Sequence, residues 1–247
     1  MSITSETVTV ITGASSGIGS ASAIRIAKHG GTVILAARNE EKLKSIVNQI
    51  KDSGGYADYK VTDVTDIESL KSLGQYVQEK YGRIDHLVNN AGLMLFSNWK
   101  DVALDDWKKM IDTNIHGYLN ALAVFLPVLV MQKHGHILNM SSVAGIHTGD
   151  ASGVYSATKF FIRGLTESLR REIGVGEGIQ VSMISPGVIN TGWADKVENS
   201  EGKGIAKKLN EIAISPEEVA DAVAYALDKP QNLTINDIVI HPTLQGW

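Results

Sequence analysis

The chain has 247 residues, 43% of them hydrophobic and 20% charged, with a formal net charge of −4. That length and apolar content suffice for one α/β domain with an ample core, and the acidic balance disfavours nucleic acid as a partner. The absence of cysteine excludes disulfides and thiolate metal sites.

The first residues show no basic stretch followed by an apolar one, so no targeting signal is expected. Thr7–Thr12 is rich in β-branched residues and stops at a glycine, which predicts a strand. Gly13-Ala14-Ser15-Ser16-Gly17-Ile18-Gly19 follows, and Ser20–His29 carries apolar residues at helical spacing. Strand, glycine-rich turn and helix make a dinucleotide-binding opening. Gly13 permits the tight turn, Gly17 lets the backbone approach a pyrophosphate, and Gly19 allows close packing of helix on strand. The helix N-terminus offers free N–H groups and the positive end of its dipole to the phosphates. The spacing G-x-x-x-G-x-G differs from the commoner G-x-G-x-x-G, and a glycine-rich turn without a ligand is the rival reading. The strand and helix around it favour the ligand.

Thr32–Ala37 predicts a second strand, followed at once by Arg38 and Asn39. Dinucleotide sites that take NAD place an acid near this point for the ribose 2′-OH, whereas NADP sites place an arginine. Ala37 is not acidic and Arg38 is basic, so NADP(H) is expected ahead of NAD(H). The alternative for Arg38 is a surface charge before the helix Glu40–Lys51. Gly54-Gly55 ends that helix. Ala57–Thr62 is a third strand leading to Asp63-Val64, and Asp66–Tyr81 is a helix with Asp66 as its N-cap. Arg83–Asn89 contains a fourth strand, ending in Asn89-Asn90-Ala91-Gly92. Polar loops at strand C-termini are where open α/β sheets bind ligands, while turn formation is the plainer reading of both asparagines.

Leu104–Met131 is a long, mostly apolar helical region. Its longest apolar run, Ala121–Met131, contains Pro127 and is shorter than a bilayer span, so a cytoplasmic protein without a membrane partner is expected. Asn114 lies inside the region, and an amide in an apolar helix needs a partner: a neighbouring backbone, a water, or both. The seven histidines show no metal-binding spacing, and His134-Gly135-His136 reads as a turn. His136–Met140 is a fifth strand, with Ser142 just past its end, where a hydroxyl can hold a substrate oxygen.

Val154–Ile173 predicts a helix that carries Tyr155 and Lys159 four residues apart, on one face. A free tyrosine titrates near about 10, and an ammonium one turn away is expected to pull that value down and fit the phenol for acid–base work. Alone, Tyr-x-x-x-Lys arises by chance in many helices. Gln180–Ser185 is a sixth strand ending in Pro186-Gly187. Val188–Ile214 is long and mixed, and reads as a lid or specificity loop, with disorder as the rival reading over Glu198–Gly204. Ser215-Pro216-Glu217-Glu218 has the pattern of a capped helix start, and Asn236–His241 is a last strand. No repeat, low-complexity tract or linker interrupts the chain, so residues 1–247 read as one domain with a substrate loop at about 188–214.

Gly13-x-x-x-Gly17-x-Gly19, Asn89-Asn90-Ala91-Gly92, Asn114, Ser142, Tyr155-x-x-x-Lys159 and Pro186-Gly187 occur together in this order. Over essentially its whole length the chain resembles the compact, single-domain short-chain dehydrogenases/reductases. The resemblance implies a three-layer α/β/α Rossmann fold with a seven-stranded parallel sheet. It implies a catalytic tetrad of Asn114, Ser142, Tyr155 and Lys159. In that reading Tyr155 protonates a carbonyl oxygen, and Lys159 lowers the tyrosine pKa and binds the nicotinamide ribose. Ser142 orients the carbonyl, and Asn114 anchors a water in a proton relay.

The resemblance also implies a cofactor held by Gly13, Ser15, Ser16, Gly17, Ile18 and Gly19 at the phosphates and by Arg38 and Asn39 after the second strand. Asp63-Val64 would meet the adenine, and Asn90, with Ala91 and Gly92, the adenine ribose side. Pro186, Gly187, Ile189 and Thr191 would close the nicotinamide end, the last two at its carboxamide. Ser16 stands where some NADP-using members have a basic residue, so the 2′-phosphate reading rests on Arg38. The stretch Val154–Arg163 and the C-terminal Trp are similar to the branch that oxidises serine and other 3-hydroxy acids.

The expected activity is therefore NADP(H)-dependent interconversion of a small-molecule carbonyl and an alcohol. Leu93, Met94, Leu95, Val143, His147, Ile189 and Trp193 are candidate pocket residues. All but His147 are apolar, which points to an uncharged or partly apolar substrate. A non-catalytic dinucleotide sensor or scaffold is the alternative, and an epimerase or dehydratase would need a larger substrate domain. The resemblance further implies a homodimer or homotetramer packed through Leu104–Met131 and Val154–Ile173, whose apolar surface exceeds what one sheet face needs.

Overall fold

The computed structural model describes residues 3–193 and 200–246. Seven strands form one sheet: β1 (Val8–Thr12), β2 (Thr32–Ala37), β3 (Tyr56–Val61), β4 (His86–Asn89), β5 (His136–Met140), β6 (Gln180–Pro186) and β7 (Asp237–Ile240). Their order is β3-β2-β1-β4-β5-β6-β7, and every pairing is parallel. Every residue of β1, β4, β5 and β6 is buried, as a sheet covered on both faces requires.

Helices α1 (Gly17–Lys28), α2 (Glu40–Asp52) and α9 (Pro216–Leu227) cover one face, burying Ile26, Leu43, Val47 and Val223 against Ile11, Leu35, Leu138 and Ile184. On the other face lie α3 (Ile67–Tyr81), α4 (Leu104–Ile111), α5 (Gly117–Gln132) and α6 (Gly153–Leu169). Leu70, Leu73, Ala121, Phe125 and Leu129 pack there on Val10, Ile34, Leu87 and Ile137. The result is the three-layer α/β/α Rossmann arrangement. Local capping agrees with it. Asn39 Oδ1 accepts from Lys42 N at 2.9 Å, Asp66 Oδ1 accepts from Glu68 N at 2.9 Å, and Ser215 and Glu218 form a reciprocal capping box.

Three segments differ from the sequence expectation. The helical run 104–132 is not uniform: a π-helical turn, Asp112–His116, joins α4 to α5. A second π turn, Arg170–Gly174, follows α6 and leads into the short α7 (Val175–Glu177). The expected long loop after β6 contains α8 (Ser200–Asn210); Glu198 and Asn199, where disorder was the rival reading, lie outside the described residues, as does Trp247. The combined run Leu104–Gln132 has the length and composition of a membrane span. In this fold it is a layer helix instead, with Tyr118, Ala121, Leu122, Phe125 and Leu129 buried beneath it.

β1 has β2 on one side and β4 on the other, so the chain leaves their C-terminal ends in opposite directions. A crevice opens at that reversal, where ligands bind in open α/β sheets.

Candidate active site

The crevice is a cleft of about 800 Å³. Its floor begins where β1 turns into the glycine-rich loop. Gly13 sits at φ +67°, and a Cβ there would stand 2.7 Å from Ala91 Cα, so only glycine fits both the turn and the approach of the β4 loop. Thr12 pins that junction: its hydroxyl accepts from Asn90 N at 3.0 Å and Ala91 N at 3.1 Å. The Asn90 side chain donates to Thr12 O at 2.9 Å, so its amide holds the β1–β4 fork together. Nothing in the sequence reading singled out Thr12.

At the mouth of α1 the N-cap Ser16 makes no side-chain bond to the helix. The first N–H groups of α1 are left to face the cleft, which suits an anion. Ser15, Ser16, Gly17 and Ile18 line the cleft, whereas Gly19 lies behind it, close to Gly13 O. Arg38, Asn39, Asp63 and Val64 line the far end. Arg38 is exposed and pairs with no carboxylate among the described residues, while Glu40 is taken by Lys44 at 2.9 Å. Asn39 uses its side chain as the α2 cap, and Asp63 Oδ1 accepts from the Thr65 hydroxyl at 2.8 Å.

At the other end Ser142, Tyr155 and Lys159 converge on the same cleft, with Gly92 beside them. The Ser142 hydroxyl donates to Pro186 O at 3.3 Å and accepts from Ala144 N at 3.1 Å. Lys159, 4% exposed, donates from Nζ to Met140 O at 2.8 Å. Its ammonium stands 5.7 Å from the centre of the Tyr155 ring.

The shift of the tyrosine runs opposite to the expected fall. Burial pushes Tyr155 up to about 12, against which the neighbouring Ser142 hydroxyl acts, and burial brings Lys159 down to about 8. The ammonium is turned to the Met140 carbonyl rather than to the phenol, and desolvation outweighs it.

Asn114 occupies the π turn and stands behind the wall. Its Oδ1 accepts from Leu93 N at 2.8 Å, and its Nδ2 donates to Leu93 O at 2.9 Å and to Thr158 Oγ1 at 3.0 Å. A backbone partner, one of the alternatives the sequence offers for this amide, is present in Leu93. A Cβ on Gly92 would lie 3.7 Å from Asn114 Oδ1 and 3.8 Å from Lys159 Nζ, so the two groups face each other across a single glycine.

Leu93, Met94, Val143, His147, Ile189 and Trp193 line the cleft, as do Pro186 and Gly187, while Ala91 and Thr191 line it close to Gly13 and Gly17 of the glycine-rich loop. Leu95 does not; its N–H turns to Met110 Sδ at 3.5 Å. Phe96, next to the candidates Leu93–Leu95, Leu209, from the 188–214 segment, and Gln245, near the C-terminus, join the lining. The Phe96 and Trp193 rings pack at a tilt of 40°, with centroids 5.5 Å apart. The two ends of the 188–214 segment are tied together: Ile189 bridges Ile214, Asn190 N donates to Ile214 O at 2.9 Å, and Ile214 N donates to Val188 O at 3.1 Å.

Comparison with known proteins agrees with this geometry. Residues 7–202 match the family model described as short chain dehydrogenase. An uncharacterised oxidoreductase of Listeria innocua is 42% identical over 242 residues, covering 97% of this chain and 98% of that protein. A closed form of serine dehydrogenase complexed with NADP+ superposes with a TM-score of 0.88 at 30% identity, covering 97% of this chain and 96% of the other. An alcohol dehydrogenase from the archaeon Thermococcus sibiricus, complexed with 5-hydroxy-NADP, gives a TM-score of 0.86 at 27% identity, covering 97% of each chain.

Proposed function

The chain belongs to the short-chain dehydrogenase family, and we propose that it interconverts a neutral carbonyl compound and its alcohol with NADP(H). The observation that carries this reading is the convergence of Tyr155, Ser142 and Lys159 on the cleft that begins at the glycine-rich loop. When bound, the dinucleotide is the hydride carrier. The first turn of α1, with its uncapped N–H groups, would hold the pyrophosphate. Arg38, free of any acidic partner among the described residues, would take the 2′-phosphate, for which Ala37 offers no repelling charge. Solved relatives complexed with NADP+ and 5-hydroxy-NADP support the same choice.

The chain's own groups then divide the work. Tyr155 is held protonated at neutral pH, the form that donates to a carbonyl oxygen. The Ser142 hydroxyl, fixed by Pro186 and Ala144, orients that oxygen. Lys159 stabilises the phenolate left behind. Asn114 keeps Leu93, and with it the wall beside Gly92, in place. Met94, Phe96, Val188 and Trp193 make the substrate end apolar. Exposed Leu104, Ile111, Leu119, Met131 and Phe160 on α4, α5 and α6 support assembly into two or four copies. A soluble, cytoplasmic single-domain enzyme is the setting this reading assumes.

The test is direct. Absorbance of NADPH is followed with a panel of uncharged ketones and aldehydes, for the parent protein and Tyr155→Phe. Tyrosine-dependent consumption supports the reading. Binding of NADPH with no consumption across the panel favours a non-catalytic dinucleotide protein.

A further inference from the structure

Met140 is the last residue of β5, and its carbonyl has an unusual situation. The N–H of the same peptide, on Ser141, donates to Ile184 O of β6 at 2.8 Å. The Met140 carbonyl therefore points to the opposite edge, toward β4. The pairing of β4 with β5 ends at Asn89 opposite Asn139, so no strand meets that oxygen. A buried carbonyl of this kind needs another donor.

Two side chains supply one. Tyr118 of α5, 1% exposed, donates its hydroxyl to Met140 O at 2.8 Å. Lys159 of α6 donates Nζ to the same oxygen, also at 2.8 Å. The Lys159 ammonium also lies 5.8 Å from the centre of the Tyr118 ring, close to its distance from the Tyr155 ring. Those two phenols are the titratable groups that face it, and no carboxylate pairs with it among the described residues.

We infer that Tyr118 is a positioning residue: by pinning the Met140 carbonyl from α5, it fixes where the Lys159 ammonium stands relative to Tyr155. The ring face attracts the ammonium, while the phenolic hydrogen competes with it for one oxygen. Two donors on a single carbonyl each bond it more weakly than one would. Removing only the hydroxyl frees the carbonyl to follow the ammonium, which then holds its proton more tightly. Burial keeps Tyr118 protonated far above neutrality, so it acts as a constant donor. Its link to turnover rests on the oxidoreductase reading; its effect on Lys159 does not.

The test compares the full chain with Tyr118→Phe and Tyr118→Leu. Lysine isotope-labelled at its ε-carbon and ζ-nitrogen is titrated by NMR, and the Lys159 signal is assigned by its loss in Lys159→Met. In Tyr118→Phe the Lys159 midpoint is expected to rise by about half a pH unit or more. In Tyr118→Leu, which also loses the ring, it is expected to fall below the Phe value. The pH profile of kcat should move with the Phe midpoint, with KM within about twofold of the parent. A Lys159 midpoint unmoved in Tyr118→Phe overturns the inference, whatever happens to melting temperature. A midpoint that moves in Tyr118→Phe, with a parent protein that consumes no NADPH, upholds the placement and removes the proposed reaction instead.

Discussion

The Asn114 amide and the backbone of Leu93 are bonded in both directions, at 2.8 Å and 2.9 Å. A side chain here stands in for a strand: it gives one residue of an irregular loop the two bonds that a neighbouring strand would have given. The third bond, to Thr158, ties the loop to α6, which carries Tyr155 and Lys159.

Asn114→Leu should therefore cost more than a buried amide-to-apolar change of similar size. It strands the Leu93 N–H and carbonyl together, and the loss is expected at ~2–4 kcal/mol. Chemical denaturation measures it. A loss below ~0.5 kcal/mol, the level of an ordinary surface change, would show that the loop is held by something else.

Tyr155→Phe removes a proton donor and little else. Turnover should drop by ~10³-fold, within the range for general acid catalysis, while NADPH binding by fluorescence stays within about threefold. A variant that retains a tenth or more of parental kcat removes the tyrosine from the chemistry.

Arg38→Ala tests the phosphate assignment. A charge-assisted bond to a 2′-phosphate contributes ~1.5–3 kcal/mol, so NADPH affinity should fall by ~10- to 100-fold and NADH affinity should barely change. Equal losses for the two dinucleotides contradict the assignment.

Stability should be sensitive to acid for a reason remote from the cleft. His86 and His136 lie side by side in β4 and β5, 1% exposed each, with ring centroids 6.1 Å apart. His86 bonds Thr9 Oγ1 at 3.0 Å and His136 bonds Ser182 Oγ at 2.7 Å. Burial lowers His86 from 6.5 to about 4, and His136 well below its ordinary value. The unfolded chain thus binds protons that the folded one refuses, and stability must fall as pH drops from 6.5 toward 4. Each pH unit across that window costs about 1.4 kcal/mol per histidine, or ~3 kcal/mol for His86 alone by its lower end. Denaturation curves at pH 7.5 and 4.5 for the parent and His86→Gln measure this, and the variant should lose clearly less on acidification. Identical acid losses in both would assign the sensitivity to other groups.

Much of this molecule can be read along the chain, because its strands and caps are local signals. β2 and β5 run over the residues their β-branched and apolar composition marks, and the Ser215–Glu218 box starts α9 where the pattern places it. The cleft was also legible, since the glycine-rich loop, Ser142, Tyr155 and Lys159 are fixed by β1, β5 and α6. What could not be read depends on contacts between distant segments. No sequence signal distinguishes a π turn from an ordinary helical turn at Asp112–His116, yet it seats the Asn114 amide beside Leu93. For Tyr155, spacing reveals the neighbouring ammonium but not the burial, nor the carbonyl that claims that ammonium. Leu95 looks like its neighbours in sequence, and only the fold turns it aside. The start of α8 is hidden in the sequence because Ser200–Gly204, its first residues, include two glycines, poor helix formers.

The clasp between Ile189 and Ile214 has a consequence for how such a protein can change. With Ile189 and Ile214 fastened to each other, the closure of the intervening stretch is already fixed, and a change in its length adds little to that cost. Insertions or deletions are therefore tolerated more readily between those two residues than within the strands of the sheet.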